Sequence, residues 1–208
     1  MEKKYELTEE TLDWGGIVLH RIKALKDFGD VKEGDLGGFV QNENNLSQEG
    51  NCWIYNDAKV YGNAKVSEDA KIMDEAAVYG NSEVSGNAEV YDEAEVFDKA
   101  QIFGKSKVYG DAKIFDNASV YHSATVTGFT SVFGNAKVYG EAVVNGSILM
   151  GDNSEVCGNA MIYGNVHISD NVIVGGNIEI GGEACLFGDL NLSGFKNEEL
   201  KPSNSFGK

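Results

Sequence analysis

Aliphatic residues recur every six positions from Ile54 onward. Ile54, Val60, Val66, Ile72, Val78, Val84, Val90 and Val96 open the series, which reaches Leu192 without an insertion. Four residues after most of them stands a small side chain, as at Ala58, Ala64, Ala70, Ala76, Ser82 and Ala88. Between the two, the third and fourth positions are mainly Gly, Asp or Asn, as in Gly62-Asn63, Gly80-Asn81 and Asp116-Asn117. An amphipathic helix needs apolar spacing near 3.6, and a flat strand alternates without fixed corners. A strict six-residue period with such corners predicts a parallel β-solenoid. The first position points inward, the fifth fills the interior of a corner, and the third and fourth turn the chain. Gly and Asn tolerate the positive φ that such corners require.

The repeat resembles the left-handed β-helix hexapeptide-repeat superfamily, whose aliphatic-x-x-x-small-x consensus it matches over residues 54–192. The resemblance implies an all-β fold: a single-stranded, triangular, left-handed solenoid of about eight coils, each of three hexads. The left hand comes from the resemblance alone, because parallel crossovers are ordinarily right-handed. At ~4.8 Å between strands, eight coils make a prism roughly 38 Å long.

Stacking the sequence in coils of three hexads aligns the outward positions into ladders. Tyr61, Tyr79, Phe97, Phe115 and Phe133 form one; Tyr55, Met73, Tyr91 and Tyr109 another; Phe103, Tyr121 and Tyr139 a third. Just before the inward positions, charges alternate between coils: Lys71, Glu89 and Lys107, then Lys65 with Glu83 and Glu95 with Lys113. Opposite charges on adjacent strands add roughly 0.2–1 kcal/mol each. After about residue 143 the surface changes. The aromatic position turns small (Asn145, Gly151, Ser169, Gly175, Gly181), and the position before the inward residue turns apolar (Val143, Leu149, Met161, Ile173). A face approached by another chain needs that swap, so these four residues are expected to form the interface of a homo-oligomer, a trimer or dimer.

Residues 1–53 depart from the period and are expected to form a β-rich cap with an irregular first coil. Residues 54–194 form the β-helix and 195–208 a polar tail. Ile17-Val18-Leu19 through Leu25 is rich in β-formers. Turn signals follow at Phe28-Gly29-Asp30 and Gly34-Asp35-Leu36-Gly37-Gly38. Trp14 and Trp53 are expected to plug the open end of the solenoid, where unpaired strand edges invite association. The stretch HRIKALKDFGDVKEGDLGGFVQNENNLSQEGNCWIYNDAKVYGNA, residues 20–64, is similar in wording to phage and prophage hexapeptide-repeat proteins labelled transferases on fold alone. That resemblance implies a phage or prophage setting in a bacterial cytoplasm and brings no active site with it.

Composition narrows the function. The chain has 26 glycines and a single proline, which suits many tight corners whose backbone N–H groups are needed for pairing. A formal net charge of −16 argues against direct binding to nucleic-acid phosphates or anionic membranes. Three cysteines without metal-ligand spacing fit a reducing compartment. No apolar h-region or long apolar run points to export or a membrane span, so a cytoplasmic protein is expected.

Chemistry is thin. Hexapeptide acyltransferases use a histidine base with acyl-CoA bound between subunits, usually beside an extruded loop. Here His122 is a weak catalytic candidate, since it occupies a corner and no loop interrupts the register. His20, His122 and His167 are too dispersed for a three-histidine metal centre, and no metal is expected. An acidic ridge runs along one corner through Asp57, Asp74, Glu75, Asp92, Glu93 and Asp111. Three readings follow. The first is a non-catalytic binding protein that engages a host macromolecule or sequesters a small ligand through the Tyr61–Phe133 ladder, Tyr91 and Tyr109. The second is an acyltransferase using acetyl-CoA or another acyl-CoA, and the third a structural solenoid. The first is preferred, with no cofactor expected.

Overall fold

The computed structural model describes residues 2–194, and the expected polar tail lies outside them. From Trp53 onward the chain makes about eight coils of parallel strands, most of them two residues long, one per hexad. Each inward aliphatic pairs in register with the one three hexads on, as Val90 does with Val108 and Val96 with Ile114. Three faces result. The first carries Ile72, Val90, Val108 and Val126 inward; the second Val78, Val96, Ile114 and Val132; the third Val84, Ile102, Val120 and Val138. All of these, with the corner alanines, are fully buried in one continuous core.

The corners obey a simple rule. The third residue of each hexad from Ile54 to Leu186 has positive φ, whether it is Gly62 (69°), Asp92 (57°) or His122 (61°). Aspartate is frequent there because it tolerates this region and its carboxylate reaches the corner of the next coil. Gly110 N–H donates to Asp92 (3.1 Å), Gly134 N–H to Asp116 (3.1 Å) and Gly188 N–H to Asp170 (2.8 Å). The fourth position builds an amide ladder, Asn135 to Asn153 to Asn171 to Asp189, at 3.1, 3.2 and 2.7 Å.

Two corners open. Val143–Met150 and Met161–Ile168 each run as one eight-residue strand across the edge between the first and second faces. The fifth residue there is buried Ile148 or Val166 instead of alanine, although buried Val172 and Ile178 hold the same position at ordinary corners. Gly146 (φ 144°) and Gly164 (φ 91°) permit the opening.

The N-terminal end is closed by an antiparallel hairpin, β1 (Tyr5–Trp14) and β2 (Ile17–Ala24), followed by β3 (Leu36–Val40). β3 pairs antiparallel with β2 and parallel with the first solenoid coil, Val40 against Val60. It therefore converts hairpin pairing into solenoid pairing. Gly37 and Gly38, expected in a turn, lie in this strand. A Cβ on Gly38 would stand 2.5 Å from the Ala58 carbonyl, so the glycines serve close approach and not chain reversal. Trp53 is buried as expected, edge-on to Tyr5 and Phe28. Trp14 does not plug the end: it sits at the hairpin tip, 43% exposed, with the Lys59 ammonium 4.7 Å from its ring. The plug is completed by Lys4, buried, whose ammonium donates to the Cys52 carbonyl (3.0 Å), the Glu49 and Gly50 carbonyls and the Cys52 thiol (3.3 Å). Burial lowers the Lys4 pKa and raises that of Cys52.

Candidate binding surface

The aromatic residues of each ladder follow an inward aliphatic residue, so stacking of the coils stacks their rings. Tyr61, Tyr79, Phe97 and Phe115 lie 4.9 Å apart, nearly parallel, and Phe133 follows at 5.3 Å. Tyr91 and Tyr109 stack at 4.6 Å. Phe103, Tyr121 and Tyr139 form the third ladder at 4.9 and 5.0 Å. The π-faces are thus occupied by neighbouring rings, and what reaches solvent is ring edges and hydroxyls. A flat ligand cannot stack within such a ladder. Tyr79 donates its hydroxyl hydrogen to Glu95 (2.8 Å), which also accepts from Lys113 (2.6 Å). Burial pushes the Glu95 carboxyl up, but these two hydrogen bonds outweigh it and hold the group below its ordinary range. Burial, with Tyr109 beside it, raises Tyr91 to about 12.

Charge alternation is realised at Lys107–Glu89 (2.7 Å) and Lys113–Glu95 (2.6 Å). Lys71 departs from it: although in register with Glu89, it reaches back to Asp30 of the cap (2.9 Å).

His122 occupies a left-handed corner, exposed, its ring edge-on to Tyr121 (4.9 Å) and Tyr139 (6.4 Å). A base needs an orienting partner, and among the described residues no carboxylate bonds to its ring. Among those residues no three metal-ligating side chains converge either.

The acidic ridge divides in two. Asp74 and Asp92 are third-position residues that accept hydrogen bonds from the neighbouring coil, Asn56 Nδ2 to Asp74 at 2.9 Å and Gly110 N–H to Asp92. Asp57 pairs with Arg21 (3.3 Å). Glu75, Glu93 and Asp111, at fourth positions, project from the edge.

The four residues expected at an oligomer interface do not share one face. Val143 and Met161 are register neighbours on the first, Leu149 lies on the second, and Ile173 on the third. Two of the small residues that prompted the expectation have an intrachain cause. The Phe133 ring lies where a Cβ on Gly151 would be (2.5 Å), and the Tyr163 ring does the same over Gly181. The structure adds two exposed aromatic residues to this surface, Tyr163 and Phe129. The signal for Phe129 was its place in the Glu75–Glu93–Asp111 column, where an acid or amide is the rule.

Over 62 residues the chain is 40% identical to the uncharacterized acetyltransferase YdcK of Escherichia coli (strain K12). The match takes in 26% of this chain, which spans about a fifth of that relative's length (19%). No family model matches. The relative and the solenoid together fit a hexapeptide-repeat family. Among the described residues no helix is long and apolar enough to cross a membrane.

Proposed function

We propose that the chain is a rigid, non-catalytic binding protein of phage or prophage origin that engages a host macromolecule. The observation that carries this reading is the employment of its reactive side chains. Glu95, Tyr79 and Lys113 bind one another, as do Glu155, Tyr139 and Lys137, and Lys4 closes the end of the core. Among the described residues Glu75, Glu93 and Asp111 carry no ion pair, and apolar side chains such as Phe129 stand exposed on the prism. The phage setting rests on the wording of residues 20–64. Affinity capture from a bacterial host lysate, with native mass spectrometry of the purified chain, tests the reading. A stoichiometric protein partner is expected, whereas co-purified acyl-CoA with coenzyme A release during incubation would contradict it.

The similarity to an uncharacterized acetyltransferase supports a second reading, acyl transfer with acetyl-CoA or another acyl-CoA at a cleft between subunits, His122 serving as base. The exposed, unoriented His122 ring disfavours it.

A further inference from the structure

One edge of the prism, between the first and second faces, changes character along its length. Its outermost column runs Asp57, Glu75, Glu93, Asp111 and then Phe129, successive coils of one register. Phe129 is 71% exposed, and on the two strands that cross this edge in the following coils Leu149 (43%), on the second-face side, and Met161 (43%) and Tyr163 (47%), on the first-face side, are exposed as well. Four of the large exposed apolar side chains therefore flank one edge from its two sides, which a solvated corner does not require. Of the acids beyond them Asp57 is paired with Arg21 and the other three are uncompensated. Other nearby cations are engaged elsewhere: Lys71 with Asp30, Lys107 with Glu89 and Lys113 with Glu95. Among the described residues Glu75, Glu93 and Asp111 have no ion-pair partner.

We propose that this edge docks an extended protein segment, basic at one end and apolar at the other, the apolar end seated on Phe129, Leu149, Met161 and Tyr163. This rests on the binding-protein reading and names its partner class. Charge complementarity selects the occupant: a basic segment is attracted by three free carboxylates on a chain of net charge −16, which a second copy is not. Two copies paired antiparallel through their apolar stretches would also set Asp111 against Glu183 of the other, since both lie two coils from the centre of the patch. From Glu75 to the coil of Tyr163 is five coil steps, ~24 Å at the usual strand spacing, the reach of about seven extended residues.

Fluorescence anisotropy with the full chain tests this, using a fluorescein-labelled ten-residue peptide of four lysines followed by alternating serine and leucine, and its reversed sequence. One orientation should bind saturably, more weakly as salt rises. The triple variant Glu75→Gln/Glu93→Gln/Asp111→Asn should weaken binding at least tenfold and flatten the salt dependence. Phe129→Ser should weaken it about tenfold with the salt slope kept. Binding unchanged in either variant would overturn the proposal. So would sedimentation of the wild type as a dimer that Phe129→Ser dissociates, which would make a second copy the occupant. Acetyl-CoA turnover with peptide binding intact would sink the non-catalytic reading and leave the edge standing. No binding and no turnover would sink the edge alone.

Discussion

His122 shows how much a single residue's meaning depends on its backbone. With φ at 61° it does the work that glycine or aspartate does at other corners. His122→Gly should change stability by no more than ~0.5 kcal/mol, while His122→Val, β-branched in a left-handed region, should cost about 1–2 kcal/mol in chemical denaturation. Were the imidazole a working group, the glycine variant would lose activity without losing stability. Lys4 is the opposite case, a charge whose ammonium is held by three main-chain carbonyls. Lys4→Met would keep the apolar stem and leave those acceptors unpaired, so a loss of about 2–3 kcal/mol is expected. An unchanged melting curve would show that water satisfies them.

Between residue and fold stand the corner and the cap strand. Gly38→Ala would drive a methyl group into the Ala58 carbonyl, and a loss of about 2–4 kcal/mol is expected, with melting starting at the N-terminal end. Hydrogen exchange that stays protected around Val40 and Val60 in this variant would contradict that account. The solenoid was legible in the sequence because its period is rigid: Val60, Val66 and Ile72 each announce a strand by spacing alone. The aromatic ladders followed from the same arithmetic. The cap was less legible. Gly37 and Gly38 look like turn glycines when only composition is known, and their closeness to Ile54 and Ala58 is a tertiary fact. The widened corners were not legible: Ile148 and Val166 break the small-residue rule at the fifth position, but so do Val172 and Ile178, whose corners turn in the ordinary way. The placing of Phe129, Leu149 and Tyr163 along one edge needed the register of three coils and the opening of a corner together.

At the scale of the molecule, cap and prism share strand pairing through β3 and one buried core, and a few polar bonds are added around Asp30, which accepts from Lys71 (2.9 Å) and Tyr55 (2.8 Å). These hydrogen bonds hold the Asp30 carboxyl below its ordinary range. A carboxylate depressed in the folded state contributes stability that is complete above its unfolded pKa and fades as pH falls through the folded value. Asp30→Asn should therefore melt lower than the wild type at neutral pH, by under about 1 kcal/mol since the pair is exposed. The difference should close below about pH 4. A gap that persists into acid would assign the effect to packing.

The central claim is that the prism binds and does not catalyse. Titration calorimetry of acetyl-CoA into the full chain, with coenzyme A release followed in the same sample, tests it most directly. The account predicts no saturable heat and no release above the spontaneous rate, in the wild type and in His122→Ala alike. Saturable acetyl-CoA binding by the wild type, lost in His122→Ala, would contradict it.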